Sequence, residues 1–138
     1  MKYIKKKLTI DKVKIEDIAK KFDTPTYCYS YTQLKKNINN FKKNFRSFSP
    51  LICFAVKSNT NLNLIREIQK FGLGADVVSI GELMMALNAG DNPKKIVFSG
   101  VGKTSNEISY AIDKKILLIN AESKSEINEI DRIARIKK

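Results

Sequence analysis

The sequence predicts an α/β fold in which a parallel sheet is joined by crossover helices, and three observations carry that expectation. From residue 51 onward, short apolar runs alternate with amphipathic segments, the pattern of repeated β/α units. Four hydroxyl residues stand three positions before a Glu or Gln (Ser30/Gln33, Ser79/Glu82, Thr104/Glu107 and Ser123/Glu126), the spacing of a capping box at a helix start. A chain of 138 residues with 43% apolar content is also long enough to bury one globular core.

In chain order, residues 1–30 differ from the rest. Leu8, Ile10, Val13 and Ile15 alternate with charged residues, a short helix is expected around Glu16 to Phe22, and a strand from Thr26 to Ser30 follows Asp23-Thr24-Pro25. A long helix comes next, with Leu34, Ile38, Phe41 and Phe45 along one side. It separates the Thr26–Ser30 strand from the next one, which leaves that strand free to belong to a different sheet. The later strands are expected at Leu51 to Val56, Ala75 to Ser79, Ile96 to Ser99 and Ile116 to Asn120. Leu64, Ile65 and Ile68 mark the face of one intervening helix, and Ile127, Ile130 and Ala134 that of the last. Gly72 and Gly90 stand where C-terminal caps are needed. Four β/α units are half of an eight-unit barrel, or a small open sheet.

A net charge of +12 raises the alternative of a basic nucleic-acid-binding module. The distribution disfavours it: lysines come in scattered pairs such as Lys35-Lys36 and Lys94-Lys95, and only four arginines are present. No nucleic acid is expected as partner. Cys28 and Cys53 lie in apolar runs without metal-ligand spacing, and there is no histidine, so two buried reduced thiols and no metal are expected. No apolar h-region follows the basic N-terminus and no run is long enough for a membrane span. A soluble, cytoplasmic protein without a membrane partner is the expectation.

In either parallel architecture, function gathers at the C-terminal ends of strands. Here those ends carry Lys57-Ser58-Asn59, Ser79, Ser99-Gly100, and Asn120 followed by Glu122. Period-2 alternation puts Leu51, Cys53, Ala55 and Lys57 on one face and the bulky Ile52, Phe54 and Val56 on the other. With the bulky set on the helices, Lys57 points inward from the rim. A partly desolvated amine there is a candidate nucleophile for an aldehyde; alternatively, it is a strand-terminal lysine reaching for water. Asp76 has two readings as well, a carboxylate facing a site and pairing with a cation, or the exposed start of a strand.

The segments "FAVKSN", "GADVVSIGEL", "FSGVGKT" and "NAES", in this order and spacing, together with "TPTYCYS" upstream, resemble the N-terminal portion of the diaminopimelate decarboxylase family, within the fold-type III, alanine-racemase-like pyridoxal-phosphate enzymes. The likeness runs from about residue 15 to the end. It implies a partial (β/α)8 TIM barrel, its first four β/α units in residues 31–138, preceded by residues 1–30 as a segment that in the family joins a β-rich second domain. It implies pyridoxal 5'-phosphate as cofactor. Lys57 matches the lysine that carries the cofactor, Asp76 and Ser79 match positions near it, and Glu82 is more simply a helix cap. The implied reaction is decarboxylation of meso-2,6-diaminopimelate to L-lysine and CO2 in lysine biosynthesis, with a small-molecule amino-acid substrate and a homodimer in the intact family. Ile80 stands where a glycine is frequent in the family.

Length is the larger departure. A complete (β/α)8 barrel takes about 250 residues, and the family's cofactor-stacking histidine has no counterpart in a chain without histidine. Its glycine-rich phosphate loop, the acidic partner of the pyridine nitrogen, and its substrate-binding cysteine and tyrosine are unmatched too. The chain is therefore expected to be a fragment: a truncation, a piece of an interrupted gene, or one part of a split enzyme whose second polypeptide completes the barrel, inactive alone. Other expectations left open are another fold-type III enzyme, such as a basic amino-acid decarboxylase or a racemase, and a non-enzymatic half-barrel.

Overall fold

A computed structural model describes residues 1–137. The chain forms two compact units, Met1–Pro50 and Leu51–Lys138.

The first unit begins with an antiparallel meander of β1 (Lys2–Ile4), β2 (Lys7–Ile10) and β3 (Val13–Lys14), with Lys2 opposite Thr9 and Thr9 opposite Lys14. Both connections are two-residue turns, Lys5-Lys6 and Asp11-Lys12, with all four residues at positive φ. That is the requirement of a hairpin turn matching the twist of its strands, here met without glycine. Helix α1 (Ile15–Phe22) follows, with Glu16 and Asp17 in its first turn and Lys20 and Lys21 in its last, each sign complementing the helix dipole. Ser30 caps α2 (Tyr31–Asn44), its Oγ accepting the Gln33 N–H at 3.0 Å and donating to Asp11 Oδ1 at 2.7 Å. Asp11 also accepts the Thr32 N–H, and these bonds, the serine's first, hold its carboxyl below the usual range.

Two expectations for this unit are corrected. Residues 26–30 form no strand: nothing in the unit pairs with them, and Tyr27 and Tyr29 stay exposed. Cys28 is accordingly exposed, not buried. On α2 only Ile38 is buried and Leu34 half-buried; Phe41 and Phe45 are exposed and stack on each other, ring centres 4.8 Å apart.

The second unit is a four-stranded parallel sheet in the order β4 (Cys53–Ala55), β5 (Gly74–Val77), β6 (Ile96–Phe98) and β7 (Leu118–Ile119). Between the strands run α3 (Leu62–Gln69), α4 (Ile80–Ala89) and α5 (Ser105–Asp113), and α6 (Lys124–Ile136) comes last. This is the predicted set of β/α units, a fragment of a barrel, with each strand shorter than expected. The β4 run stops at Ala55 because Val56–Ser58 winds into a 3₁₀ turn, and the β5 run stops at Val77 because Ser79 is already the cap of α4.

Register fixes which side chains share a face. Ala55 pairs with Asp76, Asp76 with Val97, and Val97 with Leu118. The alternate positions Phe54, Val56, Ala75, Val77, Ile96, Phe98 and Ile119 face the helices and form the core with Ile65, Leu83, Ala86, Ala89 and Ala111. Burial of the fully enclosed Phe98, Leu83, Ile96 and Val77 contributes about 1.5–3 kcal/mol each. On α6 the buried residue is Ile133, with Ile130 and Ala134 half-buried and Ile127 exposed, so the buried stripe is turned from the predicted one toward Ile133. Gly90 (φ +96°) ends α4 as expected, whereas α3 ends at Lys70 and Gly72 (φ +79°) turns the chain two residues later.

Each predicted serine or threonine cap is present, but only Thr104/Glu107 is a reciprocal box. In the Ser79 and Ser123 caps the glutamate carboxylate reaches one residue further back, Glu82 to the Val78 N–H at 2.9 Å and Glu126 to the Glu122 N–H at 2.6 Å. At Ser30 the Gln33 amide instead bonds Asn37. Asn61 caps α3 through the N–H groups of Asn63 and Leu64. Among the described residues, no helix is long and apolar enough to cross a membrane.

Candidate functional site at the strand ends

The face of the second unit's sheet away from the helices carries Cys53, Ala55, Asp76, Val97, Ser99, Leu118 and Asn120. None of them is buried, whereas Val56, Ala75, Val77, Ile96 and Phe98 of the opposite face are. The polar members gather toward the C-terminal ends of the strands. Ser99 donates from Oγ to Asp76 Oδ1 at 2.6 Å, and Asn120 donates from Nδ2 to Ser99 Oγ at 2.9 Å, so one chain of hydrogen bonds crosses β5, β6 and β7. The strand ladder holds the backbones in place: the Ser99 N–H bonds Val77 O and the Asn120 N–H bonds Phe98 O.

Asp76 is a member of this chain of bonds. It is half-buried at the third position of β5, on the open face, and its partner is a hydroxyl instead of a cation. Lys57 lies in the 3₁₀ turn directly after β4, two residues beyond Ala55, the register partner of Asp76. It is exposed, which corrects the expectation of partial desolvation; strand alternation ends at Ala55 and does not govern it. Among the described residues its amine has no hydrogen-bond or ion-pair partner, and none joins it to Asp76. Ser79 is half-buried at the N-cap of α4, where Oγ accepts the Glu82 N–H at 3.2 Å.

Three residues of this region escaped the sequence reading as site members. Ser99 and Asn120 were visible as polar strand ends, but their convergence on Asp76 depends on the register between three strands. Lys103, between β6 and α5, was one lysine among many, yet its side chain is 2% exposed and forms an ion pair at 3.1 Å with Glu126, which is 9% exposed. Cys53, below Ala55 on the same face, donates weakly from Sγ to Lys95 O; burial first, then the Asp76 and Asp91 carboxylates, push its thiol up. No cluster of metal-ligating side chains exists among the described residues.

A parallel β/α sheet with its core on the helix side and its polar side chains at the C-terminal strand ends defines the class of β/α-barrel domains. Residues 31–138 match the family described as pyridoxal-dependent decarboxylase, pyridoxal binding domain. The chain belongs to the pyridoxal-dependent decarboxylase family, and pyridoxal 5'-phosphate is the cofactor of this domain. It is 40% identical over 127 residues to diaminopimelate decarboxylase of Vibrio cholerae, covering 92% of this chain and 30% of that protein. The crystal structure of diaminopimelate decarboxylase from M. jannaschii superposes with a TM-score of 0.95 at 35% identity, over 99% of this chain and 33% of that one. The Helicobacter pylori enzyme complexed with L-lysine superposes with a TM-score of 0.85 at 41% identity, over 88% of this chain and 31% of that one. The chain thus spans about a third of the length of these relatives.

The residues present fit the cofactor chemically. An aldehyde requires a primary amine that is reachable and not held in an ion pair, and among the described residues Lys57 is both.

Proposed function

We propose that this chain is the cofactor-binding part of a diaminopimelate decarboxylase, a cytoplasmic enzyme that converts meso-2,6-diaminopimelate to L-lysine and CO2 in lysine biosynthesis. The observation that carries the reading is the free Lys57 amine at the end of β4, next to the strand end where Ser99 and Asn120 hold Asp76. The names of its relatives support the substrate.

In this reading Lys57 Nζ would hold the cofactor covalently, and Asp76 and Ser79 would be the groups beside it. The bound pyridine ring supplies the electron sink for the pair left when the α-carboxylate departs as CO2. Asp76 contributes a fixed negative charge whose rotamer is set by Ser99. The Ser79 oxygen is used by its own helix, but its hydroxyl hydrogen is given to no acceptor among the described residues and remains a donor for a ligand.

Residues 1–30 belong in this reading to a β-rich domain and residues 31–138 to the first half of the barrel. A second polypeptide, or further chain paired as a homodimer, supplies the remaining orienting groups. The 138 residues alone turn over no substrate, because electron-sink chemistry needs the breaking bond aligned with the ring, and groups that act as one unit fail together.

Incubation with pyridoxal phosphate followed by borohydride tests the site. The reduced pyridoxyl group is expected on Lys57 in preference to the other lysines, read by peptide mass spectrometry, and Lys57→Ala abolishes the preference. Labelling spread evenly over surface lysines of a folded sample refutes the assignment.

A further inference from the structure

The polar groups at the strand ends form one continuous chain that extends well beyond Asp76. Lys103 Nζ donates to Gly100 O, to Asn120 O at 2.7 Å and to Glu126 Oε1 at 3.1 Å, which uses all three ammonium protons. Its ammonium also lies 5.7 Å from the centre of the buried Phe98 ring. Glu126 accepts the Glu122 N–H with its other oxygen; that bond first, and the Lys103 ammonium after it, hold its carboxyl below the usual range.

Lys103 therefore grips the backbone at two places, Gly100 and Asn120. One directly follows Ser99; the other is the residue whose side chain bonds Ser99. The hydroxyl of Ser99 has a single proton. Because Asn120 Nδ2 occupies a lone pair of that oxygen, the proton is directed to Asp76 Oδ1. A buried ion pair at the start of α6 and a carboxylate in β5 are thus the two ends of one network.

We propose that Lys103 is a positioning residue for the candidate site, acting through Asn120 and Ser99 to hold the Asp76 carboxylate in one orientation at the rim that carries Lys57. This rests on the reading of Lys57 given above. An anchor for loops alone would leave Asp76 indifferent to Lys103; a positioning residue would not.

The test uses the full chain, with the ¹³C carboxyl resonance of Asp76 and the rate of borohydride-trapped pyridoxyl addition at Lys57 as readouts. The variants are Ser99→Ala, Asn120→Ala and the paired Lys103→Met/Glu126→Gln, which removes both charges together so that neither is left buried alone. The Asp76 resonance is expected to move in all three, and trapping at Lys57 to slow by up to about 10²-fold, the scale of a group misplaced by about 1 Å. Should the paired variant fail to fold, Asn120→Ala still puts the proposal at risk, since it cuts the link from Lys103 to Ser99 while leaving the ion pair intact, and Lys103→Met in the folded chain then reads the Lys103 end of the route. An Asp76 resonance that moves in Ser99→Ala but stays in place in the folded paired variant, or in Asn120→Ala, overturns the proposal. So does a moved resonance with unchanged trapping at Lys57. A wild-type chain that traps no aldehyde at Lys57 removes the site and the proposal with it, an outcome recognised from the wild type alone.

Discussion

Asp91 makes the stability of this chain depend on pH in a direction opposite to that of most carboxylates. It follows Gly90 at the end of α4, across the sheet from the Asp76 rim, with its N–H bonded to Ala86 O at 3.0 Å. The residue is 6% exposed and its Oδ2 is buried without a hydrogen-bond partner among the described residues. Burial raises its pKa from 3.8 to about 6, against a smaller opposing pull from the Lys95 ammonium. The folded state therefore binds this proton more tightly than the unfolded state. The stability associated with the protonated form is complete below pH 3.8, falls as pH rises, and is lost above about pH 6. At 1.36 kcal/mol per pKa unit the loss is about 3 kcal/mol, a large share of the 5–15 kcal/mol of a typical domain.

Asp91→Asn removes the charge with almost no change of shape. Urea unfolding of both proteins at intervals from pH 4 to 8 is the assay, and the difference in extrapolated free energy cancels every group the two share. The variant is expected to be more stable by about 2–3 kcal/mol above pH 7, with the gap closing toward pH 4. A difference that does not change with pH refutes the assignment of a buried, titrating carboxyl.

Other outcomes follow from the packing. Gly74→Ala places a Cβ inside the carbonyl oxygen of Lys95, a backbone atom that cannot swing aside, so a loss of about 1–3 kcal/mol or more is expected in urea unfolding; an unchanged midpoint contradicts the tight approach of these segments. Thr104→Ala removes the hydroxyl that accepts the Glu107 N–H and should lower stability by about 1 kcal/mol, with Glu107 still holding the Ile80 N–H. A thermal midpoint equal to wild type would show that the cap is replaced by water. The edge of β7, with Leu117 and Leu118 about half exposed, should drive self-association, seen as an average mass that rises with concentration in sedimentation; a monomer at all concentrations argues against it.

Much of the second unit was legible because local and long-range signals agree there. Apolar strands, caps at Ser79, Thr104 and Ser123, and the turn at Gly90 each specify one state. The side of the sheet that packs on helices followed from the bulk of Phe54 and Val56. The first unit was harder. Its hairpins turn on Lys5-Lys6 and Asp11-Lys12, where Asp11 alone is a residue type inclined to positive φ, and the apolar look of residues 26–30 gives no partner for a strand. At the site, Lys57 and Asp76 stood out as charges within apolar runs. Lys103 and Asp91 did not, because burial of a charge is a property of the assembled loops and not of their local composition.

The sheet order β4-β5-β6-β7 is also the order of synthesis, so each strand can dock on one already made as the chain leaves the ribosome. Such neighbour-by-neighbour growth keeps each closing loop to one β/α unit, the least loop-closure cost open to a parallel sheet. It also gives the rim a schedule. Asp76 waits for Ser99, 23 residues later, and Ser99 waits a further 21 for Asn120, so the carboxylate acquires its fixed orientation only when β7 has joined. A nascent chain halted before residue 120 would already own its lysine and its carboxylate while lacking the clamp that relates them.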